Sequence, residues 1–296
     1  GVTRAIEGLF LSMMVLETIV YLGKPINPML KEKYYFSYSQ LSTFKSCREL
    51  YKIIYIDGVR KEEESIEAFM GKCVHSVLEW LYQKENVLKP YITFDSICQK
   101  YDDIWINLWH DKIYIVENRI GVDYYYSMGK RCLSNYYYKY GPTFDEYVIG
   151  TEVETEFELE EGIGFRGVID RLDQPKPGKY YIHDYKTGKH PLTINSAKNN
   201  LQLVIYHISI LENFQDVVDI TLNWHFLRQG IEVSVVHSED EITMFRKKLK
   251  RQVNQIRDLS ADLGNFYPRE SALCNWCYYW EECSVKYGKN PVQRAE

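Results

Sequence analysis

Residues 164–187, GFRGVIDRLDQPKPGKYYIHDYKT, constrain this chain more than any other stretch. They divide into two alternating runs, 165–172 and 180–186, separated by turn formers at 173–178 (Asp-Gln-Pro-Lys-Pro-Gly). A hairpin about that turn sets Asp170 roughly opposite Asp184 on the neighbouring strand. Side chains alternate along a strand, so Asp184 and Lys186 share a face and Tyr185 points away. Two carboxylates held together repel unless a cation lies between them, and hard oxygen ligands suit Mg²⁺ or Mn²⁺. A lysine beside them can activate water or neutralise charge on a phosphoryl group. The chemistry implied is metal-assisted phosphodiester hydrolysis. An isolated Asp-x-Lys is ordinarily a solvated face; here Asp170 terminates an apolar Val168-Ile169 run, and that placement needs a reason.

Residues 65–84 form an amphipathic helix with Met70, Val74, Val77, Leu78 and Leu81 on the packed side. Gly71, His75 and Glu79 lie four apart on one face. Glycine costs helix stability, so Gly71 implies a close approach there. His75 near two aspartates becomes a natural third metal ligand. An earlier helix follows Phe36, with Ser39 as its N-cap and Cys47 on its length. Residues 95–140 read as two Tyr- and Trp-rich helices broken near 117–121, with Cys98 and Cys132 as buried thiols. Residues 146–160 alternate as a strand whose acidic outward face meets solvent. Past the hairpin come a helix over 196–211, which places Gln202 and Tyr206 on one face, and strands at 220–227 and 231–237. A helix over 239–261 carries Arg246, Lys247, Lys248, Lys250, Arg251 and Arg257; it is either a solvated face or a phosphate-contacting one.

The C-terminal piece contains Cys274, Cys277 and Cys283, spaced C-x2-C-x5-C. An odd total of 7 cysteines in a chain of 296 residues points to a reducing interior and to metal-binding or structural thiols. Three thiols so close favour metal or cluster ligation, with Cys47 as the fourth; spacing alone leaves zinc and iron–sulfur both open. The apolar stretch 8–22 contains Glu17 and lacks a small-residue cleavage site, so it reads as a packed N-terminal helix or a poorly ordered extension. The expectation is an intracellular protein, cytoplasmic and nucleoid-associated, with no membrane partner. A net charge of −5 argues against indiscriminate coating of nucleic acid but allows a local basic groove.

In this order the motifs resemble the RecB-like branch of the PD-(D/E)XK nuclease superfamily. The closer likeness is to its iron–sulfur-containing group, which includes the CRISPR-associated RecB-like exonucleases. The resemblance rests on Cys47 in a Ser-rich helix, Gly71 to His75, Gly167 to Asp170, Asp184 to Lys186, Gln202 to Tyr206, and the three trailing cysteines. It implies a mixed α/β fold: a restriction-endonuclease-like core, with a central mixed sheet flanked by helices, an added helical region and a C-terminal iron–sulfur segment. His75, Asp170, Asp184 and the main-chain carbonyl of Tyr185 would bind Mg²⁺ or Mn²⁺. Lys186 would position or activate water, while Gln202 and Tyr206 orient Lys186 and the DNA strand. Cys47, Cys274, Cys277 and Cys283 would hold a [4Fe–4S] cluster, stapling the two ends of the domain.

Two departures stand out: Arg48 occupies a position where many relatives have proline, and residues 1–33 have no counterpart. The implied organisation is an N-terminal extension, 1–33, and one nuclease domain over 34–290. Within that domain lie a helical insertion near 90–142, a core near 146–237, and the basic helix with the cysteines at 239–283. The implied activity is that of a DNA exonuclease on single strands or duplex ends, in repair, recombination, phage replication or CRISPR adaptation, with protein partners in those pathways. The alternative is a non-catalytic or partner-activated DNA-binding protein on the same fold. No Gly-x-x-x-x-Gly-Lys-Ser/Thr motif is present, so the chain itself carries no P-loop motor.

Overall fold

The computed structural model describes residues 33–117 and 119–292. The expected helix at 8–22, and the extension to which it belongs, lie outside the described residues. The chain runs β1 (Tyr34–Phe36), α1 (Tyr38–Ser46), α2 (Arg48–Tyr51) with a π-turn at Lys52–Ile56, β2 (Glu64–Ser65), α3 (Ile66–Leu81), α4 (Lys84–Val87), α5 (Phe94–Leu108), β3 (Ile113–Tyr114) and α6 (Val122–Tyr140). It continues through β4 (Val148–Glu160), β5 (Ile163–Lys176), β6 (Lys179–Lys186), α7 (Ile194–Lys198), α8 (Leu201–Asn213), β7 (Asp219–Phe226), β8 (Ile231–Val235) and α9 (Glu239–Leu259).

The main sheet is mixed and ordered β1-β5-β6-β7-β8, with β4 along the other edge of β5. β4, β5 and β6 form an antiparallel meander. β6 and β7 are parallel, which two hairpin-linked strands cannot be, and α7–α8 supplies the crossover. One face of the sheet carries α8 with α1 and α9, and the apolar core there includes Leu172, Ile182, Leu203, Trp224 and Leu249. A second cluster lies where α3, α5 and α6 pack together, and Tyr185 joins it from β6. Among the described residues, no helix is long and apolar enough to cross a membrane.

The helices form where side chains can satisfy their free amides. Ser65 caps α3 by accepting from Ala68 N, and every residue expected on its packed side is buried. Ser238 and Glu241 close a reciprocal capping box on α9. Four boundaries differ from the sequence reading. Ser37, not Ser39, caps α1, because its hydroxyl meets Gln40 N. Cys47 is not within a helix: it is extended and ends α1, and its Sγ accepts from Leu50 N to start α2. The helix expected over 196–211 is two helices, broken at Asn199–Asn200, where the Asn200 side chain accepts from Gln202 N at 2.8 Å. The hairpin turn is tighter than 173–178: the strands run on through a bulge to Pro177-Gly178, where Gly178 takes φ +75°.

The extended hairpin gives Asp173 a different part from that of a turn former. It is buried at 4% exposure beside Arg171 at 1%, and the guanidinium meets both of its carboxylate oxygens at 3.0 Å. His183 joins at 3.0 Å from Asp173, and the hydroxyls of Tyr82 (2.7 Å), Tyr136 and Tyr185 (3.4 Å) surround the same guanidinium. A buried arginine is tolerable when it is ion-paired and its terminal nitrogens are met in this way, although Nε itself has no hydrogen-bond partner among the described residues.

Candidate active site

The site sits where β5 and β6 part. Their last backbone pair on this side is Arg171 with His183. One residue further on, the Asp170 carboxylate takes the place of a backbone acceptor: Tyr185 N donates to its Oδ2 at 2.7 Å. Asp170 and Asp184 therefore face each other across a fork in the sheet, close to the expected opposition.

β4 adds a third acid. Its register with β5 places Thr151 against Arg171 and Val153 against Ile169, so Glu152 is level with Asp170. Glu152 has φ +47°, a left-handed conformation that a non-glycine residue adopts inside a strand only under compensation. Glu152 is exposed, as expected of the acidic face of 146–160, yet its carboxylate also joins a cluster. Ligand atoms of His75, Glu152 and Asp170 all lie within 4.8 Å of one another. Sequence reading missed Glu152 because its neighbours Glu154, Glu156 and Glu158 look identical in an alternating run; only the backbone at 152 separates them.

His75 reaches the cluster from α3. Its Nε2 donates to Tyr185 O at 3.0 Å, which leaves the Nδ1 lone pair 3.6 Å from Asp170 Oδ1. Burial first, and Lys186 to a lesser extent, lower the imidazole's pKa and hold it neutral. A lone pair facing a carboxylate is repulsive without a proton or cation between them. The carboxylates indicate the same need. Burial, then the charge of Asp184, raises Asp170 well above the usual range; burial, then Asp170, raises Glu152. Glu152, Asp170 and the neutral imidazole form a donor set that fits a hard divalent cation, whereas both oxygens of Asp184, expected as a further ligand, are engaged by Lys186 and Gln202. The Tyr185 carbonyl, expected as a ligand, faces this cluster with one acceptor position already used by His75.

Lys186 stands beside Asp184, its ammonium 2.6 Å from Oδ2, with Asp184 2% exposed and the lysine side chain 36% exposed. Gln202 bridges the pair, accepting from Lys186 Nζ at 3.0 Å and donating to Asp184 Oδ1 at 2.7 Å. Tyr206, one turn along α8, is buried beside Gln202, and burial raises its hydroxyl to about 12, so it stays protonated. Two glycines permit this packing. A Cβ on Gly167 would lie 2.5 Å from Tyr206 Cε1, and one on Gly71 would lie 3.2 Å from Thr187 Oγ1. From the opposite face of the sheet, Tyr185 is held by its hydroxyl in the Arg171–Tyr136 network.

The cysteines gather elsewhere. Cys47, Cys274, Cys277 and Cys283 all line one cavity of about 100 Å³, walled by Leu50, Ile53, Leu273 and Trp280. Backbone amides of Leu50 and Arg269 each meet Cys47 Sγ at 3.5 Å, and Ser271 N meets Cys274 Sγ at 3.4 Å. Burial, with the neighbouring thiols adding to it, raises Cys277 to about 11. The remaining thiols stand apart: Cys73 and Cys132 are buried in the second core, and Cys98 is half-buried, not fully buried as expected. On α9, Arg246 pairs with Glu212 at 2.5 Å and Lys250 with Glu160, whereas among the described residues Lys247, Lys248, Arg251 and Arg257 have no carboxylate within ion-pair distance.

Comparison with known proteins bears on this geometry at one level. No curated protein matches the chain. Among solved structures, the crystal structure of SSO0001 aligns over 84% of this chain and 96% of its own, at 15% identity and a TM-score of 0.34, too loose to support any argument. The sequence profile of one nuclease superfamily, in contrast, matches residues 35–284 and so takes in the forked hairpin, His75, α8 and the cysteines. By that match the chain belongs to the PD-(D/E)XK nuclease superfamily.

Proposed function

We propose that this protein is a divalent-metal-dependent deoxyribonuclease of the RecB-like, iron–sulfur-containing branch, acting as an exonuclease on single strands or duplex ends. The observation that carries the reading is the row Glu152–Asp170–Asp184 across three adjacent strands, with His75 closing one side and Lys186 the other. His75, Glu152, Asp170 and Asp184, with the Tyr185 carbonyl, would hold Mg²⁺ or Mn²⁺. When bound, the ion polarises the scissile phosphate and makes water a stronger nucleophile at neutral pH.

The chain's own groups do the rest. Lys186, fixed by Asp184 and Gln202, presents an ammonium where negative charge grows on the phosphoryl oxygens. Gln202 limits the lysine to one orientation, and the protonated Tyr206 backs Gln202 against Gly167. His75 stays neutral, so its Nδ1 lone pair is available to a cation without first losing a proton. The cysteine cavity supports a second part of the proposal, a [4Fe–4S] cluster on Cys47, Cys274, Cys277 and Cys283. Four thiols on one small, mostly apolar cavity, with amides directed at two of the sulfurs, suit thiolate ligation better than four separate free thiols.

The test is digestion of end-labelled single-stranded and duplex DNA with Mn²⁺, Mg²⁺ or EDTA, using anaerobically purified protein. Metal-dependent shortening from one labelled end supports the exonuclease reading. Internal cuts in a circular single strand would replace it with an endonuclease, and tight DNA binding without cleavage under either metal would leave a binding protein.

A further inference from the structure

Four basic residues without a carboxylate partner among the described residues share one groove. Two hollows of about 580 and 610 Å³ adjoin each other and share Leu41, Lys45, Gln252 and Arg269, making one groove between α1, α9 and the segment after α9. Lys45, Arg48, Lys248 and Arg269 line it. Among the described residues none of the four has a carboxylate within ion-pair distance, whereas Lys198, Arg246 and Lys250 nearby are all paired. Arg48 is spread over Phe44 and Tyr267, and Arg269 donates to Lys45 O at 3.3 Å, so the cations are seated on the groove wall. Between them lie aromatic faces, Tyr38 and the exposed Tyr267, and the amides of Asn199, Asn200, Gln252 and Gln255.

The groove is joined to the chemistry through α8: Asn200 and Leu201 line it, and the next residue in the chain is Gln202, whose side chain bridges Lys186 and Asp184. We infer that the groove is the track of the single DNA strand leading to or from the cleavage site, with phosphates on Lys45, Lys248 and Arg269 and bases against Tyr38 and Tyr267. The chemistry favours a single strand: cations, aromatic rings and amides lining one groove suit unstacked bases, whereas a duplex presents its phosphates and keeps its bases stacked. This inference rests on the nuclease reading of the site and adds to it a substrate path. That path uses only one residue, Lys248, of the basic run that the sequence singled out.

The experiment is anisotropy of a short fluorescein-labelled poly-dT, and of a duplex of equal length, titrated with the full chain in EDTA across a salt series. Wild type is compared with the Lys45→Ala/Lys248→Ala double variant and with Lys247→Ala on the same helix, each checked for an unchanged melting temperature. The double variant is expected to bind poly-dT on the order of tenfold more weakly. Its log–log salt slope should be shallower by about 1.4, the loss of two single-strand phosphate contacts, with Lys247→Ala unchanged. Wild-type binding with the double variant keeping its affinity and slope would overturn the groove and leave the nuclease reading standing. A loss confined to the duplex would overturn the single-strand assignment. A wild-type protein that binds neither DNA would instead sink the nuclease reading itself.

Discussion

The acid site and the cysteine cavity are assembled by opposite means. Glu152, Asp170 and Asp184 sit on three successive antiparallel strands, so the backbone ladder that forms the sheet also brings the acids into a row. His75 is added by a helix whose apolar stripe is fully buried. Beneath them Arg171 ties Tyr82, Tyr136, Tyr185, Asp173 and His183 into one buried network. The cysteines have no such ladder. Cys47 stands at a helix break, and Cys274–Cys283 lie in short 3₁₀ and turn structure that is tied down by isolated contacts. Glu49 accepts from Ser284 N at 3.1 Å, Lys61 pairs with Glu282 at 2.8 Å, and Tyr114 donates to Trp276 O at 2.7 Å. The first region is organised by its own ladder; the second brings remote segments together through isolated contacts, and under the proposed reading a cluster on the thiols would complete the holding.

That contrast sets how each region should fail. Lys186→Ala, the largest effect, should lower cleavage by about 10²–10³-fold in single-turnover assays while the melting temperature and DNA binding stay near wild type. Glu152→Gln should come next, weakening Mn²⁺ binding by at least about tenfold in calorimetry without unfolding the protein, since its backbone is held by β5. Cys277→Ser should do the reverse: bleached visible absorbance and a melting temperature lower by several degrees, with residual cleavage tracking the folded fraction. A Cys277→Ser protein that is equally stable and fully active would break the comparison, as would a Lys186→Ala protein that unfolds.

A smaller effect separates the sheet's stability from both sites. Burial holds His207 down at about 3, and His183 and His225 are also lowered, so all three stay neutral in the fold but protonate near 6.5 when unfolded. For these three groups the unfolded chain binds more protons below that value, so their contribution to stability falls as pH drops from 7 toward 5, while the raised carboxyls of Asp170 and Glu152 act in the opposite direction. His207 alone accounts for about 2 kcal/mol over that range, and a His207→Phe variant should show a correspondingly flatter melting profile.

Much of this was readable from the chain. The hairpin and the packed side of α3 follow from periodicity, because both strands and the helix bury one face; the approach of His75 to the acids was implied by the resemblance in motif order. What was not readable depended on local backbone geometry. Glu152 is distinguished by a left-handed φ in mid-strand, and Asp173 is drawn into the core by a bulge that lets the ladder run past a Pro-rich turn. For the basic run on α9, sequence gives the charges but not which carboxylates come to meet them, here Glu212 and Glu160 against Arg246 and Lys250.

The most direct test of the central claim, that the forked hairpin is a metal-dependent nuclease site, is Mn²⁺ binding by electron paramagnetic resonance alongside cleavage of the same samples. The account predicts Mn²⁺ bound by wild type and by Lys186→Ala, lost in Asp170→Asn, and cleavage only in wild type. Undiminished Mn²⁺ binding in Asp170→Asn, or wild-type cutting by Lys186→Ala, would contradict it.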